Sequence, residues 1–86
     1  MPRLTASEAR FARWLEARLG FVGASTFVLR CGLPVIRRAL YDGVLVWWEP
    51  PAAMRGVRGR WKVNPAVKNP GGFLRWLVSQ RVRPGG

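Results

Sequence analysis

The sequence predicts a mainly α-helical domain that carries one small antiparallel β-hairpin. Its 86 residues are enough for one hydrophobic core and too few for a second. Apolar residues recur at three- and four-residue steps as far as Leu40, whereas from Val44 onward they follow one another as in a strand. Glycines and prolines separate these segments. We therefore expect a single domain over residues 1–86.

The first helix is predicted over residues 5–20. Thr5 and Glu8 have the spacing of a capping box, in which each side chain bonds the other's backbone amide, and Gly20 is suited to the helix end. Apolar residues at helical spacing predict a face turned toward the core. Its members are Phe11, Trp14, Leu15, Leu19 and, beyond the helix end, Val22.

Two short helices are expected next, over residues 25–31 and 34–42, with a turn at Gly32. Pro34 falls in the first turn of the later helix, where the missing amide proton costs nothing, and Asp42-Gly43 closes that helix. Two helices joined by so short a turn have the helix-turn-helix arrangement.

The apolar and capping residues of this pair of helices divide by position. Ser25 or Thr26 is expected to cap the earlier helix. The sequence has a single cysteine, Cys31, which we expect to be a small buried apolar residue rather than a reactive thiol. The predicted core-facing residues are Phe27, Val28, Cys31, Val35, Ile36, Ala39 and Leu40.

A hairpin is predicted over residues 44–63, with strands over residues 44–49 and 60–63. Valine, leucine and tryptophan follow one another in the first strand, and apolar residues alternate with basic ones in the second. In the second strand Trp61 and Val63 should share the buried face. Arg60 and Lys62 share the other face. The loop over residues 50–59 is expected to be basic and mobile.

A last helix is predicted over residues 70–82, opened by Asn69 or Pro70. Phe73, Trp76 and Leu77, with Gln80, should line its buried side, and residues 81–86 should form a frayed tail. The predicted core of the whole domain includes Phe11, Leu15, Leu19, Val28, Ile36, Leu40, Val46, Trp61 and Trp76.

The composition excludes most chemistry and points to a polyanionic partner. Fifteen lysines and arginines face four acidic residues and no histidine, for a formal net charge of +11. So few titratable groups predict no catalytic site, no metal centre and no cofactor, and no small-molecule ligand is evident. A field this positive concentrates nucleic acid or anionic membrane around the protein. No membrane-spanning or secretory segment is visible, which predicts a cytoplasmic protein.

The most specific stretch runs from Gly32 to Leu40 as GLPVIRRAL and is followed at residues 42–46 by DGVLV. It resembles the winged helix-turn-helix family of DNA-binding domains, in which a turn glycine precedes the recognition helix and a short acidic-glycine turn leads into the hairpin, or wing. The resemblance covers residues 24–63, and the first helix fits the family's first helix. It implies a three-helix domain with a two-stranded wing and a closing C-terminal helix, bound to double-stranded DNA near the nucleoid.

The resemblance also implies roles for individual residues. The outward face of the third helix would enter the major groove with Arg37, Arg38 and Tyr41, where arginine makes bidentate contacts to guanine. An ordinary role for Arg38 is an ion pair with Asp42 one turn on. Phosphate or minor-groove contacts would come from the wing and its flanks, at Arg55, Arg58, Arg60, Lys62, Arg30 and Lys68.

Three functions stay open from the sequence. The first is binding of double-stranded DNA by a small transcriptional regulator, an excisionase-like factor or a replication accessory protein. The second is binding of RNA or single-stranded nucleic acid, since five tryptophans lie among the basic residues. The third is docking on a polymerase or replication subunit. Trp47 and Trp48 must point to opposite sides of one strand, so one of them packs on an outer helix or marks a homodimer contact.

Overall fold

The computed structural model describes residues 3–81 of the chain. Within them the protein is mainly helical, with four α-helices and one two-stranded antiparallel sheet. The elements in chain order are α1 (Ala6–Leu19), α2 (Ala24–Cys31), α3 (Leu33–Ala39), a π-helical turn (Leu40–Val44), β1 (Leu45–Trp48), β2 (Arg60–Val63) and α4 (Pro70–Arg81). None of the described helices is long and apolar enough to cross a membrane.

Local capping chemistry sets the bounds of α1 as predicted. The Thr5 amide donates to Glu8 Oε1 at 2.9 Å, and the Glu8 amide donates to Thr5 Oγ1 at 3.2 Å, which completes the capping box. At the other end Gly20 takes a left-handed conformation with φ of 62°, which a glycine adopts without strain. Both terminal predictions for this helix are confirmed.

The start of α2 and the end of α3 differ from the prediction. Gly23, in a left-handed conformation, precedes α2, and neither Ser25 nor Thr26 caps the helix. Pro34 does lie in the first turn of α3. The chain does not leave its helical path at Asp42-Gly43 but widens into the π turn, where the Leu45 amide donates to the Leu40 carbonyl.

The hairpin forms with a definite register; β2 has the predicted bounds, whereas β1 is one residue shorter at each end than the predicted strand over residues 44–49. Leu45 lies opposite Val63 and Trp47 opposite Trp61, while the intervening pairs join Val46 to Lys62 and Trp48 to Arg60. Because side chains alternate along a strand, Leu45, Val63, Trp47 and Trp61 share one face of the sheet. Leu45 is buried and Val63 half-buried, so only the end of this face nearest the helices packs on the core.

The core lies between the four helices and the base of the hairpin. Its most enclosed large side chains are Phe21, Leu15, Ile36, Leu40, Leu74, Val28 and Val44. Phe21 was not predicted, because it lies in the turn after α1 rather than on a helix face. Cys31 is half-buried, and its burial raises the pKa of the thiol against the smaller opposing effect of the Arg30 guanidinium.

Several predicted core residues are instead exposed. Val46, Trp61 and Trp76 all lie at the surface, and Val22 is 82% exposed; these predictions are wrong. Phe11 is half-buried at the edge of the core. In the hairpin, Trp61 lies on the distal half of the sheet, which the helices do not cover, and Val46 lies on the face opposite Leu45 and Val63.

Helix α4 presents a different face to the core from the one predicted. Asn69 opens the helix as expected, since its Oδ1 accepts from the Gly72 amide at 3.2 Å. The buried residues are Gly71, Leu74 and Val78, with Phe73 and Leu77 at their flank. A Cβ at Gly71 would lie 3.2 Å from the Leu19 carbonyl oxygen, so glycine lets the helix approach closely.

The outer side of α4 carries the rest of the predicted face. Trp76 stacks on Phe73 at 5.8 Å on this side, and Gln80 is exposed there. Arg81, predicted as the first residue of a frayed tail, is instead the last described residue of α4 and pairs with Asp42. The predicted helix end at residue 82 and the rest of the predicted tail lie outside the described residues.

Candidate nucleic-acid interface

The outward face of α3 and of the π turn that follows it is exposed to solvent. Arg37, Arg38 and Tyr41 are exposed, whereas Ile36 and Leu40 on the other side of the helix are buried. The exposed residues stand at three- and four-residue steps and therefore form one continuous stripe. Arg37 and Arg38 on α3 and Tyr41 in the π turn are thus turned to solvent, although the sequence predicts all three on one helix.

The two arginines of this stripe have different surroundings. The Arg37 guanidinium lies over the Phe11 ring at 5.7 Å, and that ring stacks on Trp14. Arg38 Nε donates to Asp42 Oδ2 at 3.3 Å in an exposed ion pair, so the ordinary role considered for Arg38 is present. One bond uses one of the five guanidinium donors, and the Arg38 side chain remains 72% exposed.

An aromatic cluster joins the α3 stripe to the hairpin. The Tyr41 and Trp61 ring centroids lie 4.9 Å apart, and Trp61 meets Trp47 edge to face at 5.4 Å. These three rings are 49%, 47% and 51% exposed. Trp47 Nε1 donates to Glu49 Oε2 at 2.8 Å, which holds the outermost ring in place. The sequence predicts Tyr41 on this surface and Trp61 in the core, whereas both lie at the surface.

Two of the four basic residues predicted for the wing lie beside the Trp48 ring. Lys62 Nζ lies 4.4 Å and Arg60 Cζ 5.4 Å from the centroid of the Trp48 ring. The register places all three on the side of the sheet opposite the aromatic cluster. Arg60 and Lys62 are therefore separated from the α3 stripe by the sheet itself.

The loop of the hairpin carries Arg55 and Arg58, the other two basic residues predicted for the wing. The amide of Met54 donates to the carbonyl of Pro51 at 2.9 Å, and that of Val57 to the carbonyl of Met54 at 3.3 Å. Gly56, with φ of 82°, allows the second turn. Arg55 and Arg58 project into solvent from this loop, alongside the exposed side chains of Met54 and Val57.

Arg30 and Lys68, the remaining predicted contacts, are exposed at the end of α2 and in the connection before α4. Among residues 3–81, no hydrogen bond, ion pair or ring contact joins either one to the α3 stripe. Their positions neither add to the stripe nor obstruct it.

Few acidic groups neutralise the basic residues. In the described part of the chain, ion pairs form only at Asp42, which meets both Arg38 and Arg81. Glu8 is used in the capping box and Glu49 by an indole. Most guanidinium groups are consequently available to a polyanion, and their field is little reduced by neighbouring carboxylates.

A groove that the sequence analysis missed runs between α1 and β2. It has a volume of about 470 Å³ and is lined by Trp14, Arg18, Leu45, Arg60, Trp61, Lys62 and Val63. Trp14 and Arg18 stand four residues apart on α1, a spacing that places them on one side of the helix. That spacing was visible in the sequence, but nothing in it indicated that β2 would lie opposite.

Comparison with known proteins adds no information about this surface. The sequence matches no model of a known protein family, and no curated protein or solved structure matches it either. A function for this protein is therefore inferred from the charges, the exposed rings and the packing described above.

Proposed function

We propose that the protein binds double-stranded DNA as a winged helix-turn-helix domain, with α3 in the major groove and the hairpin loop on the backbone or in the neighbouring minor groove. The observation that carries this proposal is the exposed stripe of Arg37, Arg38 and Tyr41, which is continuous with the hairpin through the Tyr41–Trp61 contact. A major groove admits one α-helix, and arginine is the commonest reader of guanine there.

Charge supports the same proposal. The net charge of +11 and the small number of ion pairs leave enough cations for about five to seven phosphate contacts. Release of counterions would then give a slope of log K against log salt of about −4.5 to −6. Such salt-dependent binding to the DNA backbone suits a nucleoid-associated protein, such as a small transcriptional regulator, an excisionase or a replication accessory factor.

The test separates base reading from backbone attraction. Arg37→Ala and Arg38→Ala should each be measured by fluorescence anisotropy on a duplex obtained by selection and on a scrambled duplex. The arginine that contacts a base should lose about 1–3 kcal/mol on the selected duplex and much less on the scrambled one. Arg55→Ala and Arg58→Ala should weaken both duplexes alike and change the salt slope by about one.

Arg13→Ala is the matched control, because Arg13 is an equally exposed arginine on α1. It should alter binding only through the general field. Equal losses on both duplexes for Arg37→Ala and Arg38→Ala would exclude α3 as the reading element.

A second candidate, binding of single-stranded DNA or RNA, is favoured by the aromatic cluster. Tyr41, Trp61 and Trp47 each expose about half of their surface, and aromatic rings beside basic residues stack unpaired bases at about 1–3 kcal/mol per base. Trp47→Ala distinguishes the two functions. If the second function is correct, the variant should weaken binding of an unpaired oligonucleotide by about 1–3 kcal/mol and should hardly change binding of a duplex.

A further inference from the structure

The outer edge of β2 has unused backbone hydrogen-bonding groups. The Asn64 amide donates to the Val44 carbonyl at 2.7 Å, so in the register described the positions of Trp61 and Val63 are non-hydrogen-bonded ones. Their N–H and C=O groups consequently point away from β1. Outside the ladder, no hydrogen bond within residues 3–81 reaches them.

The groove follows the length of β2. Trp14 and Arg18 of α1 line it together with Leu45 and all four residues of β2. Because the β2 side chains alternate between the two faces of the sheet, a groove lined by all four of them borders the edge of the strand. A segment laid in this groove in extended conformation would lie beside Trp61 and Val63 and could pair with both residues.

The two sides of the edge differ in chemistry. Trp61 and Val63 face one side of the sheet, with Trp14 close by, and this side is apolar and aromatic. Arg60 and Lys62 face the other side, and both are cationic. An added strand would present alternate side chains to these two surroundings.

We propose that this edge binds an extended peptide segment of a partner protein, in which acidic residues alternate with apolar ones. With the segment antiparallel to β2, its apolar residues would lie opposite Trp61 and Val63 and exchange main-chain hydrogen bonds with them. The acidic residues would lie on the side of Arg60 and Lys62, with Arg18 adding positive charge from the α1 wall.

Charge excludes the simplest competitor, a second copy of the chain. Pairing of two β2 edges would bring Arg60 and Lys62 of one copy close to those of the other, and like charges on neighbouring strands are destabilising. A nucleic-acid strand would satisfy the cations but has no alternating N–H and C=O groups to pair with Trp61 and Val63. An acidic–apolar peptide satisfies both the backbone edge and the charges, and the inference does not depend on duplex DNA binding.

The experiment uses a fluorescein-labelled synthetic peptide that alternates aspartate with valine, measured by anisotropy with the full chain. A peptide of equal composition with its aspartates and valines in separate blocks should bind about tenfold more weakly. Methylation of the valine amides removes the donors that face β2 and should cause a similar loss. Methylation of the aspartate amides, which would point away from β2, should leave affinity unchanged.

Protein variants locate the binding site. Arg18→Glu and Lys62→Glu should each weaken the alternating peptide about tenfold or more. Arg13→Glu makes the same charge change at an exposed α1 position outside the groove and should have a much smaller effect.

Three outcomes would overturn the proposal. In the first, the valine-methylated peptide binds as tightly as the unmethylated one. In the second, the free protein self-associates and Lys62→Glu changes this self-association. In the third, the peptide does not bind, whereas an unpaired oligonucleotide binds in a way that depends on Arg18.

Discussion

The helical part of the molecule and the hairpin use similar large apolar residues in opposite ways. In the helical part, Leu15 and Ile36 are fully enclosed and Phe21 is 2% exposed. In the hairpin, Trp47 and Trp61 leave about half of their surface in solvent. The helical part therefore holds the fold together, whereas the hairpin keeps its aromatic residues at the surface, where a ligand can reach them.

A two-stranded sheet of this kind depends on the helices beneath it. An isolated hairpin is marginally stable at best in water. Here the base of the sheet is anchored by the buried Leu45 and the half-buried Val63, and the distal pairs have no covering layer. Substitutions in the helical part should therefore cost more stability than substitutions in the hairpin, and their effect should extend over more of the molecule.

The largest effect is expected from Ile36→Ala in the helical core. Removing this fully buried side chain leaves a cavity and should lower the free energy of unfolding by about 2–5 kcal/mol. Urea denaturation followed by circular dichroism measures the loss. Leu29→Ala, at an exposed position of α2, is the control and should cost less than about 1 kcal/mol. Similar losses for both variants would mean that the core is not where the stability lies.

A smaller loss is expected from Thr5→Ala at the start of α1. The variant removes the Oγ1 acceptor of the capping box and should cost about 0.5–2 kcal/mol in the same assay. Ser7→Ala, at the second residue of α1 and without a capping bond, should change stability little. A loss at Ser7 as large as that at Thr5 would contradict the assignment of the cap.

Trp61→Ala should have a smaller and more local effect. Cross-strand aromatic pairs contribute about 0.2–1 kcal/mol, so the global unfolding midpoint should move little. Hydrogen exchange should show faster exchange of the Lys62 and Asn64 amides while the amides of α1 keep their protection. A loss above about 2 kcal/mol would place the hairpin in the same cooperative unit as the helical core.

The smallest effect is expected from Arg38→Ala. Its exposed ion pair with Asp42 contributes a few tenths of a kcal/mol. Asp42→Asn weakens the pairing with Arg38 and with Arg81 together and should cost more. If Arg38→Ala costs as much as Asp42→Asn, the pair with Arg81 contributes nothing.

The sequence predicted the features that depend on neighbouring residues. The capping box at Thr5, the left-handed Gly20 and the Asn69 cap involve residues a few positions apart, and the residue types alone indicate them. The change of period near Val44 likewise located the hairpin, because the run of strand-forming residues is local.

Features that depend on packing between elements distant in the sequence could not be predicted in this way. Alternation along β2 indicates that Trp61 and Val63 share a face but not that the helices cover only the half near Val63. On α4, two sets of apolar residues have helical spacing, and the one that packs includes Gly71, whose lack of a side chain hides it from an apolar pattern. The groove was missed because α1 and β2 are distant in sequence.

The π turn at Leu40–Val44 fixes how many residues the chain spends between α3 and the hairpin, and this has an evolutionary consequence. Insertions in the loop between the strands would leave both faces of the sheet as they are, and long surface insertions cost little free energy. Gain or loss of a single residue inside the turn would instead exchange the two faces of β1, turning Trp48 toward Tyr41 and Trp47 away. Descendants of this sequence should therefore vary freely in loop length while keeping the number of residues from Leu40 to Leu45 unchanged.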